Sequence, residues 1–413
     1  MAGKEHMNTP NPWLRVFLPF AAGYYLSYFL RNVNAVIAPE LTRELGVGAA
    51  DLGLLTSAYL IAFGAFQLPL GILLDRYGPR KVEAALLLVA AAGCAAFALG
   101  GSLAGLAVGR ALIGLGVSAC LMAAFKAFSL WFPAERQASL NAAIMAAGGL
   151  GALTASTPLG LLLPVTGWRG IFLGLAVLAV LAALAIFTTP DRPAAAGRES
   201  LREQLRGLGQ VLSSRIFWRI APQTALIVGG FIALQGLWAV PWLINVNGYE
   251  RDAAAFHLLL MSVAMLVGFL SIATFVTGLV RRGIPAERIL MTGLGLGLLD
   301  MLGIVLGVGP SQVLWFVFGL VFSVGNLSYA ILTGRFPTAL SGRVNTALNL
   351  AVFVGAFALQ WGVGLAVDAF RAGGMTVQEA YRTTFAIVLG LQVAGYAWYL
   401  VSGRQAGSVS ATA

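Results

Sequence analysis

Long apolar runs separated by short polar segments make up almost the whole chain. A helix needs roughly 20 apolar residues to cross a bilayer, and twelve runs approach or exceed that length. They lie near residues 13–37, 52–73, 82–101, 104–130, 137–163, 168–188, 217–245, 253–280, 287–307, 311–334, 343–369 and 380–402. The pattern predicts an all-α integral membrane protein with twelve transmembrane helices.

The longest polar break divides the predicted helices into two sets of six. It begins rich in proline and then becomes helical in period and basic, which predicts a linker ending in an amphipathic surface helix. We therefore predict an N-terminal six-helix bundle over 1–188, a cytoplasmic linker over 189–216 and a C-terminal six-helix bundle over 217–413.

The two halves share a diverged repeat. The segment "WFPAERQASLNAAIMAAGGLG" begins the fifth predicted helix, and "RFPTALSGRVNTALNLAVFVG" begins the eleventh. Five identical pairs are each 204 residues apart: Phe132 and Phe336, Pro133 and Pro337, Asn141 and Asn345, Ala143 and Ala347, Gly151 and Gly355. Repeated six-helix units build transporters that rock one half against the other around a midplane site.

Composition and charge support a membrane protein. The 413 residues are 59% hydrophobic and only 10% charged, against about 25% charged in soluble domains. The net charge of +10 lies mostly between the apolar runs, so we expect a lipid bilayer and no nucleic acid as partner. Eighteen lysines and arginines fall on the side of the N-terminus and five on the other, which predicts an inner-membrane protein with both termini cytoplasmic.

No pattern indicates a metal or a cofactor. The two cysteines, Cys94 and Cys120, lie inside apolar runs and suggest neither a disulfide nor a metal site. No nucleophile–base pair and no phosphate-binding glycine loop is evident, so we expect no enzyme activity. We also expect a monomer that takes a small anionic molecule, with a coupling ion left open.

One loop motif lies between the second and third predicted helices. "GILLDRYGPRK" predicts a tight turn at Tyr77–Gly78 flanked by cations, and a plain basic loop explains the cations but not the spacing of its acid. The motif residues are Gly71, Asp75, Arg76, Gly78 and Arg80.

This motif resembles the loop signature of the major facilitator superfamily, with Pro79 replacing the usual basic residue. A degenerate copy at 278–288 and "RALIGLG", which begins at Arg110, strengthen the resemblance. It implies that Asp75 is a gating residue that locks the halves together when the protein is open outward. Arg110 and Arg136, the latter in the loop before the fifth helix, would belong to the same gating and structural set.

Three cations lie inside predicted helices, where charges are candidates for function. Arg31 is 16 residues past Arg15, about 24 Å along a helix, and Arg110 and Lys126 are separated by the same distance. The N-terminal half offers no acid at mid-depth, since we place Asp75 and Glu83 at the cytoplasmic edge. An uncompensated positive cavity suits an anion, and arginine binds a carboxylate with two hydrogen bonds.

Each of these cations also has a simpler interpretation. Arg110 would bond backbone carbonyls of neighbouring helices, Lys126 would extend to the cytoplasmic face, and Arg31 would extend outward. Tyr24 and Tyr28 share the helix face of Arg31. The predicted substrate-binding residues are Arg31, Tyr28, Tyr24, Lys126, Gln235, Trp238, Asn326, Tyr329 and Asn349.

Two further ionisable residues are candidates for coupling. Asp300 lies well inside a C-terminal helix, where it would bind a coupling proton or serve as partner to a buried polar group. His257, near the outer end of the eighth helix, is the other candidate, with a structural role as the alternative.

The first helix is similar to that of the organic-anion (anion:cation symporter) branch. The similarity rests on Tyr28-x-x-Arg31 followed by Ala38-Pro39, and on "WFPAERQASLNAA". It implies carboxylate transport with Arg31 as the anion ligand. Two acids that carry protons in that branch are replaced here by Leu30 and Val117, so uniport, exchange, or coupling through Asp300 or His257 stay open.

Our leading hypothesis is a secondary transporter of a small organic anion, most simply a carboxylate, that works by alternating access. An exporter of amphiphilic drugs or a siderophore carrier is the alternative within the same superfamily. A non-transporting membrane receptor on the same scaffold is the alternative from another class.

Overall fold

The computed structural model describes residues 12–133, 136–190, 201–272, 276–337 and 340–409, and every regular element in these ranges is helical. A π-helical turn at Trp13–Phe17 leads into the first helix. The α-helices are α1 (Leu18–Leu45), α2 (Ala49–Tyr77), α3 (Pro79–Leu99), α4 (Leu103–Val117), α5 (Cys120–Trp131), α6 (Gln137–Thr154), α7 (Thr157–Phe187), α8 (Leu201–Leu212), α9 (Arg215–Ala233), α10 (Ala239–Asn245), α11 (Arg251–Ser271), α12 (Thr277–Arg281), α13 (Ala286–Leu306), α14 (Ser311–Phe322), α15 (Leu327–Thr333), α16 (Ser341–Ala372) and α17 (Val377–Val409).

The all-α membrane fold is confirmed. Among the described helices and joined helix pairs, ten segments are long and apolar enough to cross a membrane. Helix α1 has the length but not the hydropathy, since its sequence includes Arg31, Asn32 and Asn34. Helix α6 and the first turns of α7 together form the fifth crossing. Helix α7 then bends at Gly167 (φ 63°), and its remainder forms the sixth. The described helices thus provide twelve crossings, as the apolar pattern predicts.

Several predicted helices are interrupted where the apolar pattern is continuous. The fourth crossing is divided into α4 and α5 at Ser118 and Ala119. The seventh contains a π-helical turn at Leu234–Trp238 between α9 and α10. The fifth is broken between Thr154 and Thr157. Hydropathy does not register these breaks because the side chains on both sides are equally apolar.

The predicted amphipathic helix of the linker is α8. Val211 on α8 is buried, and Gly207 approaches the side chain of Arg343 on α16 so closely that a methyl group there would overlap it. The proline-rich part of the predicted linker, 191–200, lies outside the described residues. The division into two six-helix bundles stays a prediction.

We call the end of the bundle where α1 begins the proximal face, and the end where α1 finishes the distal face. At the distal face the two halves of the chain are in contact. Asp368 at the end of α16 accepts hydrogen bonds from the backbone N–H groups of Ala49 (3.2 Å) and Ala50 (2.7 Å), which begin α2. Arg251 on α11 pairs with Glu40 on α1 at 2.6 Å.

Candidate functional site

A cavity of about 540 Å³ lies between the two halves of the chain. Its walls come from α1, α2, α5 and α6 on one side and from α9, α11, α15 and α16 on the other. The lining runs from Arg31 down to Asn141, which is exposed near the proximal start of α6. The cavity therefore opens toward the proximal face and is closed at the distal face by the contacts described above.

Arg31 is the charged residue at the closed end of the cavity. Its guanidinium lies over three aromatic rings, with centroid distances of 4.8 Å to Tyr28, 5.2 Å to Phe63 and 5.4 Å to Phe353. Phe63 on α2 stacks on Phe353 of α16 at 4.4 Å. No described acid forms an ion pair with Arg31, and its attractive contacts are these ring faces and the Tyr59 hydroxyl.

On the proximal side of Arg31, polar groups are distributed over both walls of the cavity. Tyr329 donates to Asn349 Oδ1 at 3.1 Å, and Gln67 donates to the carbonyl of Ser118 at 3.1 Å. The amide nitrogen of Gln235 is buried without a hydrogen-bond partner among the described residues. A buried donor of this kind is costly unless a ligand or water accepts from it.

Seven of the nine predicted substrate-binding residues line this cavity: Arg31, Tyr28, Tyr24, Gln235, Asn326, Tyr329 and Asn349. Lys126 and Trp238 are not among the lining residues. Trp238 is fully buried, and its indole N–H donates to the carbonyl of Gln360 at 2.8 Å. The π-helical turn that holds Gln235 and Trp238 spreads them around the helix axis, so one points to the cavity and the other to α16.

The other predicted intramembrane groups lie apart from the cavity. Arg110 is buried, donates to the carbonyl of Leu30 at 3.1 Å and lies 5.0 Å from the ring centroid of Tyr59, which is the structural arrangement anticipated for it. His257 is buried, with Nδ1 2.7 Å from the carbonyl of Ala253. Asp300 lies on α13, which contributes no lining residue, and its Oδ2 has no described partner.

The loop motif forms the predicted turn. Gly78 has φ 81°, a conformation that glycine adopts without strain. Arg80 donates to the carbonyl of Thr189 at 2.9 Å, which ties the start of α3 to the end of α7. Arg76 is exposed over the ring of Tyr77.

The gating role assigned to this motif stays a prediction. Gly71 lies within α2, and Arg136 directly precedes α6. The side chain of Asp75 lies outside the described residues.

Three features of the site were not predicted from sequence. The stacked pair Phe63 and Phe353 closes the cavity beside Arg31. Asn141 and Asn345 both line it, and their equivalence in the repeat was the available signal. Glu83, placed at the cytoplasmic edge from its position in the chain, is fully buried among the helices. Within the described ranges no group of three His, Cys, Asp or Glu side chains is arranged to hold a metal ion.

Comparisons with known proteins agree with this architecture. The family model described as Major Facilitator Superfamily matches residues 20–360. The chain is 25% identical over 341 residues to the hexuronate transporter of Escherichia coli (strain K12), which covers 77% of each chain. It is 25% identical over 318 residues to the probable sulfoacetate transporter SauU of Cupriavidus necator, covering 75% of this chain and 72% of that one.

A solved structure shares the fold. The bacterial homolog of the human lysosomal transporter Spinster, in an inward-facing and occupied conformation, superposes with a TM-score of 0.76. Its sequence is 16% identical, and the match covers 96% of this chain and 98% of that one.

Proposed function

The chain belongs to the Major Facilitator Superfamily and is a secondary transporter, and from this premise we propose that its substrate is a small organic anion bound by Arg31. The carboxylate, or a chemically similar acidic group, would form two hydrogen bonds with the guanidinium at the closed end of the cavity. Alternating access would then move the substrate across the cytoplasmic membrane, with the proximal face toward the cytoplasm.

The observation that carries this proposal is a cation inside a cavity with no acid to neutralise it. Arg31 lines the cavity and has no described ion-pair partner. Its three aromatic neighbours displace water from the guanidinium faces, and its Nε is buried without a described hydrogen-bond partner. Because an unpaired charge is costly within a membrane protein, an anionic ligand has a large electrostatic advantage over a neutral one.

The polar groups on the proximal side of Arg31 favour a substrate that also bears hydroxyl groups. Gln235 provides a donor with no described partner, and Asn326, Asn349 and Tyr329 add amide and phenol groups on the same wall, facing Arg31 on the other. Both relatives described above are named for organic anions, and a hexuronate carries a carboxylate and several hydroxyls. A sugar acid is therefore the first probe, with sulfoacetate as a hydroxyl-free comparison.

Binding to the purified protein tests the assignment. We expect glucuronate or galacturonate to bind to the wild type and the neutral sugar galactose not to bind. Arg31→Ala should weaken anion binding by about 2–5 kcal/mol, or roughly 30- to 4,000-fold in Kd, because it removes one partner of a buried charge pair. Arg31→Lys should recover only part of the loss, since an ammonium cannot bind a carboxylate through a planar pair of donors.

Arg371→Ala is the matched control, because this arginine is exposed at the distal end of α16. It should bind anions as the wild type does. Anion binding that survives Arg31→Ala unchanged would contradict the proposal. Stabilisation by lipophilic cations, independent of Arg31, would instead favour an exporter of amphiphiles.

A further inference from the structure

Glu83 is a buried acid that the transport mechanism above does not use. It follows the first turn of α3 and is fully buried. Its carboxyl packs against Gly23 of α1, where an added methyl group would overlap Oε1, and Ile186 of α7 lies beside the same glycine. Neither carboxyl oxygen has a described hydrogen-bond partner of good geometry.

Among the described side chains of the surrounding helices, no cation faces this carboxyl. Helix α5 presents the Cys120 thiol, a weak hydrogen-bond donor, while α1 presents Gly23 and α7 presents Ile186. On α3 itself, Arg80 is directed to the carbonyl of Thr189, and Lys81 is exposed.

The more distant charged groups on the neighbouring helices either contact other side chains or lie further along their helix axes from Glu83. Arg110 of α4 lies 5.9 Å from the ring centroid of Phe97, which is fourteen residues, or about 21 Å, further along α3. Arg76 of α2 is exposed over Tyr77. On α1, Arg15 and Arg31 are each eight residues, or about 12 Å, from Gly23. A carboxyl buried without a cation is stable in its neutral form, because an isolated buried carboxylate is far more costly.

The carboxyl is separated from the cavity by one layer of helix. Gly23 directly precedes Tyr24, and Cys120 directly precedes Leu121, and both Tyr24 and Leu121 line the cavity. Any shift of α1 against α5 that reshapes the cavity therefore also changes how tightly Glu83 is enclosed.

We propose that Glu83 is a proton-binding site that couples anion transport to a proton gradient, as a symporter. The assignment rests on the proposed function, since it requires an anion at Arg31. Glu83 holds its proton in the conformation described here. When α1 and α5 rearrange, the carboxyl reaches water and releases the proton, leaving a carboxylate.

Charge balance explains why the anion and the proton move together. With a monoanion on Arg31 and a proton on Glu83, the two sites carry no net charge. With both sites empty, the guanidinium and the carboxylate again sum to zero. Occupancy of only one site leaves a net charge that must be carried through a conformation closed to water on both sides, which is costly. Conformational exchange is thus favoured when both ligands are bound or when neither is.

Infrared spectroscopy of the substrate-free protein tests the protonation directly. Near neutral pH the wild type should show a carbonyl band of a buried carboxylic acid that the isosteric variant Glu83→Gln lacks. Asp300→Asn is the control, because Asp300 also has a buried, unpartnered oxygen but lies away from the cavity, and it should leave the Glu83 band in place. An unchanged band in Glu83→Gln would overturn the proposal, whatever the substrate is.

Proteoliposomes test the coupling. An electroneutral one-to-one symporter accumulates its anion about tenfold for each unit of pH gradient, equivalent to about 1.4 kcal/mol. Wild type should accumulate galacturonate to this level, whereas Glu83→Gln should show no accumulation above the outside concentration while still binding it through Arg31. Tenfold accumulation by Glu83→Gln, or its loss in Asp300→Asn alone, would overturn the coupling role.

A glycine pair provides a second test that leaves every acid in place. Gly23→Ala should reduce coupling because its methyl group displaces the Glu83 carboxyl. Gly174→Ala on α7, where a methyl group meets nothing within 4 Å, should not. Equal coupling in the two variants would contradict the proposed site. Failure of the proposed function is distinct, since it would appear as absent anion binding in the wild type.

Discussion

The contact of Asp368 with α2 should control how often the distal face opens. Asp368 bonds the backbone N–H groups of Ala49 and Ala50 across the two halves of the chain, at the end of a helix that has no side-chain cap of its own. This contact can exist only while the distal ends of α2 and α16 are together. Asp368→Ala should therefore destabilise the closed distal face relative to the open one.

The size of this conformational shift follows from the two stabilising effects that Asp368→Ala removes. A capping side chain contributes about 0.5–2 kcal/mol, and a carboxylate at a helix N-terminus adds about 0.3–1 kcal/mol. Their sum, about 1–3 kcal/mol, corresponds to a roughly 5- to 150-fold shift in the ratio of the two conformations. Asp368→Asn should give a smaller shift, because it keeps one acceptor oxygen and loses the charge.

Distances between spin labels on the distal face measure this shift. The pair Thr42→Cys and Arg371→Cys places labels at exposed positions on the two halves, and the native Cys94 and Cys120 are buried. Asp368→Ala should enrich the longer distances, and the control Asp252→Ala, an exposed acid at the start of α11, should not. The same distance distribution in Asp368→Ala and wild type would refute the reasoning.

Two further predictions concern stability. Arg110→Lys should lower the free energy of unfolding by about 1–3 kcal/mol, since it removes the buried hydrogen bond to the Leu30 carbonyl. Thermal melting measures this loss, and an unchanged melting temperature would contradict the prediction. The hydrogen bond from Trp168 to Glu44, with help from Arg169, holds the pKa of Glu44 below its usual value. This stabilisation is present above the unfolded pKa and is lost as pH falls through the folded pKa. Melting curves at decreasing pH should therefore show a smaller acid-induced loss for Glu44→Gln than for wild type.

The candidate site illustrates how far sequence reasoning reaches. Arg31 stood out because a guanidinium in an apolar run needs a partner, and Tyr24 and Tyr28 followed from helical spacing. Trp238 lies outside the cavity because a π-helical turn changes the rotation of its helix, and no residue type in "LQGLW" specifies that turn. Lys126 also lies outside the lining, since spacing along one helix does not tell which neighbour that helix will face.

Glu83 shows the limit most clearly. Its position after a basic loop predicts an acid at the cytoplasmic edge and says nothing about burial, and α3 does begin after that loop. The side chain is buried because Gly23, on a different helix, leaves room for it. Gly23 is 60 residues from Glu83 in the sequence, so the space beside it becomes apparent only when α1 and α3 are packed together.

The sequence by itself determined the membrane class, the twelve crossings and the turn at Gly78. Each of these depends on the solvation of a single segment or on the backbone freedom of a single residue, which are local properties. The tertiary structure alone decided which faces enclose the cavity, that the cavity opens toward the proximal face, and that Arg31 is surrounded by rings from both halves of the chain. These depend on the rotation and contact of helices distant in sequence, where small residues such as Gly151 and Gly364 set how closely backbones approach.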